Sequence, residues 1–466
     1  MTYDDAVRYL LALGRELASP QQARVAKFDL ANTAILAERL GHPERAYPSV
    51  HIAGTNGKGS TAAMLASILG AAGLRNGLYT SPHLERINER IQLGGREITD
   101  EEFAATFDRT RAAIEELLAS GKLAAHPTFF ECLTATAFDY FARPRGARPE
   151  VRADFCVFEV GMGGRLDATN ILAPEVAIIT QIAFDHENYL GHSIEEIAGE
   201  KAGIIKAGAW VVSAADHPVA RDVIRARAEK QGARLVEIDE RFEVKNLRSE
   251  GPAGATRFGV LDKESRRSIE LSVPLAGRFQ VRNAVTALAA SRLLAGRRFP
   301  TDDAAIARGI AEVRWPGRLE RVSERPSVYI DGTHNPAGAR ELVAFWDEKF
   351  PGVAIHLVYG TLRDKPIDEI CGVLFPRAAS VILTEPRQSR ALKAVTLAEM
   401  TRHLAPHCEI VRDPAEAMER AVQLAAPEDA IFATGSLYLV ADYRRGWERT
   451  HPTARNLADG LHPAKK

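Results

Sequence analysis

The sequence predicts an α/β protein built on parallel sheets, and three observations support this fold class. Apolar, β-branched runs alternate with helical patterns along most of the 466 residues, which favours parallel strands joined by crossover helices. A chain of this length exceeds the size at which a single hydrophobic core stops growing, so two or three domains are expected. Glycine-rich turns follow several apolar runs, at the edge where open α/β sheets bind ligands.

The strands are predicted from short runs of apolar residues bounded by polar or glycine-rich segments. In the first half of the chain these runs are 50–53, 155–160, 176–180 and 210–213. In the second half they are 328–331, 355–359, 381–384, 409–412 and 430–434. Helical patterns separate most of them, for example over 62–69, 336–350 and 415–424.

The residue pattern changes between residues 241 and 275, where short segments of alternating apolar and polar residues predict a small antiparallel region. A helix is predicted over about 281–295. The composition near residue 315 indicates a linker, so we expect a first domain over 1–315 and a second, Rossmann-like α/β domain over 316–446. Residues 447–466 are poor in apolar side chains and are predicted to form a flexible tail.

The composition is typical of a globular enzyme and argues against several other classes of protein. Apolar residues make up 46% of the chain, charged residues 26%, and the formal net charge is −1. No basic excess therefore indicates a nucleic-acid or membrane-surface partner. The N-terminus lacks signal-peptide features and no apolar run reaches the roughly 18 residues of a membrane span, so we expect a cytoplasmic protein.

Residues 49–61 (SVHIAGTNGKGST) have the layout of a phosphate-binding loop: an apolar strand, a glycine-rich turn with a lysine and a hydroxyl, and an alanine-rich helix. Glycines let the backbone turn its N–H groups inward, and the helix N-terminus adds partial positive charge. Lys58 is expected to reach the outer phosphates of a nucleotide, and Ser60 to bind Mg²⁺. Ile52 and Gly59 depart from the common P-loop pattern, and a plain structural turn is the alternative.

Glu159 closes a predicted strand and is followed by a turn with Gly161, Gly163 and Gly164. A carboxylate in this position can face a cleft and bind a hard cation such as Mg²⁺. A dinucleotide-binding fingerprint is a competing interpretation, but no alanine-rich helix follows these glycines. A solvated turn glutamate is the structural alternative.

A capping box after His186 predicts a helix on which Lys201 shares a face with Ile194 and Ile197. A buried lysine is costly unless it is paired or neutralised. One hypothesis is that the side chain extends to the surface. The other is that the amine is carbamylated, which converts the cation into a carboxylate able to bind a second metal ion beside His186.

Polar residues also cluster at the linker and at the first strand of the second domain. Asp331 ends that strand and could accept hydrogen bonds from ribose hydroxyls, and His334 could meet phosphate. Arg318 lies in the linker, where a guanidinium can bind phosphate through two hydrogen bonds. Together these residues predict an ATP molecule bound between two domains.

Several longer motifs occur in order along the chain: 54–61 (GTNGKGST), 80–84 (TSPHL), 159–170 (EVGMGGRLDATN), 200–204 (EKAGI), 331–336 (DGTHNP) and 435–440 (GSLYLV). This set resembles the folylpolyglutamate synthase/dihydrofolate synthase family, the folate branch of the Mur ligase superfamily. The resemblance covers about residues 20–445. Met162 and Thr333 stand where leucine and alanine are common in the family, and neither change removes a ligand.

The resemblance implies a Mur-ligase-type ATPase domain, a C-terminal glutamate ligase domain and roles for individual residues. It implies that ATP is bound by Asn56, Gly57, Lys58, Gly59, Ser60, Asn283, Arg318 and Asp331, with His334 near the phosphates. It implies one Mg²⁺ on Ser81 and Glu159, and a second on His186 and carbamylated Lys201. The residues expected to take part in catalysis are Lys58, Lys201, Arg318 and His334.

The resemblance also implies a substrate site and an activity. The residues similar to the pterin site of the bifunctional enzymes are Phe28, Thr128, Phe129, Phe130, Glu131, Leu166, Asp167 and Ala168. ATP would phosphorylate a carboxylate, and the amine of L-glutamate would attack the resulting acyl phosphate. The sequence leaves open whether the acceptor is dihydropteroate, tetrahydrofolate or both, and the resemblance implies a monomer.

Two alternatives remain beside this interpretation. A cell-wall Mur ligase would carry a substrate domain before the phosphate loop, and only about 50 residues precede Gly54. A non-catalytic ATP-binding regulator would lack at least one of Lys58, Glu159, His186 and Lys201, and all four are present. A folylpolyglutamate synthase without the dihydrofolate synthase activity is a narrower alternative within the same family.

Overall fold

The computed structural model describes residues 1–13, 30–143, 153–251, 254–297, 299–405 and 407–450. Backbone contacts divide the chain into two compact units. Unit 1 comprises Met1–Leu247, Arg257–Val273 and Val281–Val313. Unit 2 comprises Arg248–Thr256, Pro274–Gln280 and the chain from Arg314 onward.

Unit 1 is built on an eight-stranded, mostly parallel sheet. Its strands are β1 Ser49–Ala53, β2 Asn76–Tyr79, β3 Ile91–Leu93, β4 Arg96–Glu97, β5 Phe155–Glu159, β6 Val176–Ile179, β7 Trp210–Ser213 and β8 Arg234–Glu237. They lie in the order β4-β3-β2-β5-β1-β6-β7-β8. β3 pairs antiparallel with β2 and β4, whereas the other neighbours are parallel. The strand that leads into the phosphate loop, β1, therefore lies between β5 and β6.

Helices cover this sheet and position its functional edge. They are α1 Tyr3–Ala12, α2 Ala31–Arg39, α3 Lys58–Ala71, α4 Asp100–Ala119, α5 Phe129–Ala142, α6 Glu187–Leu190, α7 Ile194–Ala202, α8 Pro218–Lys230, α9 Ile238–Arg241, α10 Phe279–Ala295 and α11 Asp303–Glu312. A cluster of aromatic rings joins α5 to the sheet, with the ring centroid of Phe158 5.1 Å from Phe138 and 5.8 Å from Phe141. This packing anchors β5 immediately before Glu159.

A separate three-stranded sheet occupies the region where the sequence predicts an antiparallel hairpin. Its strands are β9 Phe242–Ser249, β10 Thr256–Asp262 and β11 Ser268–Val273, in the order β11-β10-β9. A tight turn joins β10 to β11, closed by a hydrogen bond from the Asp262 N–H to the Arg267 carbonyl at 2.9 Å. The predicted antiparallel region is confirmed.

Asp262, at the end of β10, is expected to stabilise the fold in a pH-dependent way. Its carboxylate is 1% exposed and accepts hydrogen bonds from Arg241 at 3.1 and 3.0 Å. Burial raises the pKa of Asp262, but the bonds from Arg241 and Ser265 outweigh burial and lower it to about 2. Because this pKa is depressed on folding, the contribution is complete above the unfolded value of 3.8 and is lost as the pH falls towards 2.

We therefore expect Asp262→Asn to reduce the free energy of unfolding at pH 7 by about 2 kcal/mol. The difference from the unsubstituted protein should shrink as the pH falls from 4 towards 2. Urea unfolding of both proteins across that range measures the effect. A stability difference that stays constant over this range would contradict the assignment.

Unit 2 carries a six-stranded sheet. Its strands are β12 Glu320–Glu324, β13 Ser327–Ile330, β14 Ile355–Tyr359, β15 Ser380–Leu383, β16 Glu409–Ile410 and β17 Ala430–Thr434, in the order β12-β13-β17-β14-β15-β16. β12 pairs antiparallel with β13, and the remaining pairs are parallel. The helices are α12 Pro336–Lys349, α13 Ile367–Leu374, α14 Ala394–Thr401, α15 Pro414–Leu424 and α16 Leu437–Thr450. Trp346, Tyr329 and Phe432 lie at the centre of its core.

The predicted fold class is confirmed, and all nine predicted strands are present. The strands that the sequence did not predict are β2, β3, β4, β8 and β12. α16 ends at Thr450, so residues 447–450 of the segment expected to form a tail are helical, and residues 451–466 lie outside the described residues. Among the helices in the described ranges, none has the length and apolar composition that a bilayer crossing requires.

Candidate active site

The phosphate loop lies between β1 and α3 and is fixed by the segment that follows β6. The Thr55 N–H donates to the Gln181 carbonyl at 2.7 Å, and the Thr55 hydroxyl donates to the Ala183 carbonyl at 3.0 Å. A side chain at Gly54, whose φ is +150°, would overlap Thr180 Oγ1. The loop conformation therefore depends both on glycine and on a segment more than 120 residues away, as the Thr55 and Asn56 contacts show.

Gly57 brings Asn283 against the loop. Its φ of +86° lies in the left-handed region, and a Cβ at this position would overlap Asn283 Oδ1. Asn283 lies on α10 and is 7% exposed. The structure thus places Asn283 next to the residues predicted to hold ATP. Asn56 lies in the same loop, where its side chain donates to Gln181 Oε1 at 3.2 Å.

We expect Gly57→Ala to weaken ATP binding by about tenfold or more, because the new methyl group must displace Asn283 and strain the loop. Gly73→Ala is the matched control. Gly73 has nearly the same φ, +84°, but no atom lies within 4 Å of its added Cβ. Calorimetric titration with ATP measures both affinities, and equal affinities for the two variants would contradict the role of the Asn283 contact.

Two lysines from distant segments bond the same carbonyl of this loop. Lys58, the first residue of α3, donates from Nζ to the Gly54 and Thr55 carbonyls at 3.1 Å each. Lys201, on α7, donates from Nζ to the Gly54 carbonyl at 2.8 Å. Gly59 and Ser60 occupy the first turn of α3, and Ser60 is 3% exposed.

Lys201 is 4% exposed, so the hypothesis that its side chain extends to the surface is wrong. Burial lowers the pKa of Lys201 to about 7, and the nearby Lys58 ammonium acts in the same direction. Asp185 opposes this shift and is itself 6% exposed. Burial therefore favours the uncharged form of the Lys201 amine.

Glu159, which is expected to bind a metal ion, lies close to the loop that carries Ser81, its predicted partner in this site. Glu159 is 4% exposed, and its Oε2 accepts a hydrogen bond from the Ser81 N–H at 3.1 Å. His186 has a left-handed φ of +53°, and its N–H donates to Asp185 Oδ1 at 2.9 Å. Asp185 was not among the predicted ligands, although it precedes His186 in the sequence. The His186 ring lies beside it, with Nε2 3.8 Å from Asp185 Oδ2.

These donors fit Mg²⁺ in kind, because carboxylate and hydroxyl oxygens are the ligands it prefers. Among the described residues there is no group of three or more His, Cys, Asp or Glu side chains placed to hold one ion. Any metal ion here would therefore need water, phosphate or a modified lysine to complete its ligands.

The predicted substrate residues take different roles in the structure. The Phe130 ring lies against Gly161, where an added Cβ would be 2.5 Å from the ring. The centroids of the Phe130 and Tyr79 rings are 6.1 Å apart. Phe129 is 4% exposed and lies in the core, under the Arg90 guanidinium. Thr128 and Glu131 cap α5, with the Thr128 N–H donating to Glu131 Oε2 at 2.7 Å.

Asp167 organises the turn that follows Glu159. Its carboxylate accepts hydrogen bonds from the Thr169 N–H and the Met162 N–H, each at 3.0 Å. Burial raises the pKa of Asp167, and the hydrogen bonds from Thr169 and Met162 oppose this rise. Leu166 is partly buried and Ala168 is 6% exposed. Phe28, which was also expected at this site, lies outside the described residues.

In unit 2, the structure brings Arg318, Asp331 and His334 together at the end of β13. The Asp331 carboxylate accepts hydrogen bonds from the Leu319 and Thr333 N–H groups, each at 2.9 Å. His334 Nδ1 donates to the Gly332 carbonyl at 2.7 Å, and a Cβ on Gly332 would overlap the Arg318 guanidinium. The backbone around Asp331 thus holds a guanidinium and an imidazole close to one turn.

Comparison with known proteins gives consistent matches along the chain. The Mur ligase middle domain matches residues 146–291, and the Mur ligase, glutamate ligase domain matches residues 317–437. A dihydrofolate synthase/folylpolyglutamate synthase of Bacillus subtilis (strain 168) is 36% identical over 414 residues, covering 88% of this chain and 93% of the relative. A folylpolyglutamate synthase of Lacticaseibacillus casei is 33% identical over 447 residues, covering 96% of this chain and 98% of the relative.

A solved structure, E. coli FolC in complex with DHPP and ADP, is similar along nearly the whole chain. Its TM-score is 0.81 at 29% sequence identity, and the match covers 96% of this chain and 98% of that chain. The two units of the present chain are thus both represented in a protein of the same fold.

Proposed function

This chain belongs to the dihydrofolate synthase/folylpolyglutamate synthase family of the Mur ligases, and from that premise we propose that it joins L-glutamate both to dihydropteroate and to tetrahydrofolate. The chain is an ATP-dependent ligase, as its relatives and Mur ligase domains indicate. The specific proposal is the use of both acceptors by one site.

The observation that carries this proposal is the contact of Phe130 and Asp167 with the same glycine. The Phe130 ring packs on Gly161, and the Gly161 N–H donates to the Asp167 carboxylate. An aromatic ring beside a buried carboxylate suits a pterin, which stacks through its flat ring and donates from its amino and ring N–H groups. Dihydropteroate and tetrahydrofolate share this part, so one pterin site serves both.

We propose that ATP is bound by the loop residues Asn56, Gly57, Lys58, Gly59 and Ser60 together with Asn283. The close contact of Asn283 with Gly57 supports its place in this set. In the second domain, assigned to 316–446, Arg318, Asp331 and His334 are proposed as nucleotide-binding residues. Their common position at the end of β13 supports a joint role.

The proposed reaction has two steps. The acceptor carboxylate attacks the γ-phosphorus of ATP, ADP leaves, and an acyl phosphate forms. The α-amine of L-glutamate then attacks the acyl carbon, phosphate leaves, and an amide bond forms. Lys58 is proposed to offset negative charge on the phosphoryl group during the first step. Its position at the helix N-terminus, directly after the glycine turn, supports this role.

Ser60, Ser81 and Glu159 are proposed to hold one Mg²⁺, and His186 with a carbamylated Lys201 to hold a second. When bound, these ions would offset charge on the phosphates. The burial of Glu159 beside the Ser81 N–H supports the first assignment. The buried, easily deprotonated Lys201 amine supports the second.

The test is glutamate-dependent ADP release with ATP and Mg²⁺, run in parallel with 7,8-dihydropteroate and with tetrahydrofolate. Turnover with both acceptors is the expected result. Turnover with tetrahydrofolate alone would overturn the dual specificity and leave a folylpolyglutamate synthase. We further propose a cytoplasmic monomer with small-molecule partners alone, as the resemblance implies, and sedimentation at the mass of a single chain is expected.

A further inference from the structure

A fully buried histidine on the central strand of unit 1 is connected to the turn of Asp167. His51 lies in the middle of β1 and is 0% exposed. Its Nε2 lies 2.7 Å from Thr169 Oγ1, and this hydroxyl lies 2.5 Å from Asp167 Oδ1. Thr169 is also 0% exposed, so the three side chains form a hydrogen-bonded chain shielded from water.

The direction of these hydrogen bonds follows from counting protons. Backbone N–H groups of Gly161, Met162 and Thr169 donate to the Asp167 carboxylate and oppose the rise in its pKa that burial causes, and the Thr169 hydroxyl donates to Asp167 Oδ1. The single hydroxyl proton of Thr169 therefore points to Asp167. His51 must then donate from Nε2, which makes it the neutral Nε2–H tautomer with an unprotonated Nδ1.

Two further observations agree with this assignment. Burial lowers the pKa of His51 to about 3, with Lys206 acting in the same direction, so the ring is neutral. Among the side-chain atoms of the described residues, His51 Nδ1 is one of the buried atoms without a hydrogen-bond partner. Burying a polar atom without a hydrogen bond lowers stability, because the atom loses its contacts with water and gains none in the protein. An apolar ring of the same size would not carry this desolvation cost. The histidine is therefore better explained by the hydrogen bond from Nε2 than by packing.

We propose that His51 and Thr169 are positioning residues for the folate substrate, acting through the Asp167 carboxylate on the turn against which Phe130 packs. The inference rests on the proposed function, since it takes the turn at Gly161 as part of the pterin site. His51 holds the Thr169 hydroxyl as a donor to Asp167. Without it, the hydroxyl is free to rotate, and Asp167 loses an oriented partner. The same strand ends in the phosphate loop, so this chain of bonds joins the two predicted binding regions.

The test uses two pairs of matched variants. Thr169→Val and His51→Phe keep the approximate shape of each side chain but remove the hydrogen bond. Thr169→Ser and His51→Gln keep a hydroxyl and an N–H donor, respectively. We expect Thr169→Val and His51→Phe to raise the KM for tetrahydrofolate about tenfold. The conservative variants Thr169→Ser and His51→Gln should keep this KM close to that of the unsubstituted protein. The KM for ATP should stay unchanged in all four variants.

Stability separates positioning from a purely structural role. We expect the melting temperature of His51→Phe to be equal to or above that of the unsubstituted protein, because the unpartnered Nδ1 is removed. If His51→Phe lowers the melting temperature strongly and changes the KM for tetrahydrofolate and the KM for ATP together, the proposal is overturned. If Thr169→Val does not fold, the His51 pair alone decides. In ¹⁵N-histidine spectra, an Nδ1–H tautomer for His51 would also overturn it.

Phe130→Ala distinguishes failure of this inference from failure of the proposed function. If Phe130→Ala raises the KM for tetrahydrofolate and the four variants do not, the positioning role is wrong and the substrate site stands. If neither Phe130→Ala nor the four variants changes this KM, the pterin site is misplaced and the positioning role falls with it, whereas the use of both acceptors is decided separately by ADP release with each acceptor.

Discussion

Replacing Lys58 with alanine is expected to lower kcat for ligation by about two to three orders of magnitude while leaving the fold intact. The proposed role of the amine is to offset charge that develops on the phosphoryl group, and removal of such a group costs about 10²–10³ in rate. Lys58 Nζ donates to two backbone carbonyls of its own loop, and one of them, the Gly54 carbonyl, also accepts from Lys201. The Gly54 carbonyl therefore keeps a donor when the Lys58 amine is removed.

Lys230→Ala is the matched control for this prediction, because it removes an exposed lysine at the end of α8. Glutamate-dependent ADP release measures activity, and circular dichroism with thermal unfolding measures the fold. Full activity of Lys58→Ala would show that the nucleotide site lies elsewhere. A loss of activity in both variants would point to a general effect on the protein.

The central strands could be predicted from the sequence because they are buried on both faces. Every residue of β1, β5, β14 and β17 is buried, so each appears in the sequence as a mostly apolar run. The missed strands β4, β8 and β12 are short or partly exposed, and their sequences carry no such run. The buried β2 was missed because it is short and contains Asn76 and Gly77.

Apart from residues such as Ser81 and Asn283, which came from the family resemblance, the candidate site was predicted only where its residues carry a local pattern. The phosphate loop, Glu159 and Lys201 each stand at a recognisable turn or on a helix face. The contacts of Thr55 with Gln181 and Ala183 join segments far apart in the chain, and no local pattern reports them. His51 was hidden for a related reason, since it lies within an apolar strand and its partner Thr169 is 118 residues away.

Thr128 and Glu131 show how one pattern fits two explanations. Their resemblance to a substrate-binding segment led to a predicted role in the pterin site, and their spacing also matches a helix-capping box. The structure shows the capping box, with both reciprocal hydrogen bonds present. The pterin-site role proposed for this segment therefore depends mainly on Phe130, which contacts the Gly161 turn.

Lys201→Ala is expected to lose most ligase activity, by at least about a hundredfold, and to regain part of it when acetate or formate is added. The reason is the proposed carbamate, formed when the neutral amine attacks carbon dioxide and releases one proton. An added carboxylate can occupy the space left by the side chain and supply the missing oxygen ligands. Lys58→Ala is the control, because its loss is that of a cation and short carboxylates should not restore it.

Burial and a neighbouring positive charge make Lys201 suited to this modification. Burial and the neighbouring Lys58 ammonium lower the pKa of Lys201 to about 7, so the reactive neutral amine is well populated at physiological pH. Carbamylation also gives Lys201 a negative charge, which attracts the Lys58 ammonium that approaches the same Gly54 carbonyl. A carbamate resonance in the ¹³C spectrum of enzyme prepared with ¹³C-bicarbonate, absent from Lys201→Ala, is the expected observation. Fully active enzyme without that resonance, or a Lys201→Ala variant that acetate does not restore, would contradict the prediction.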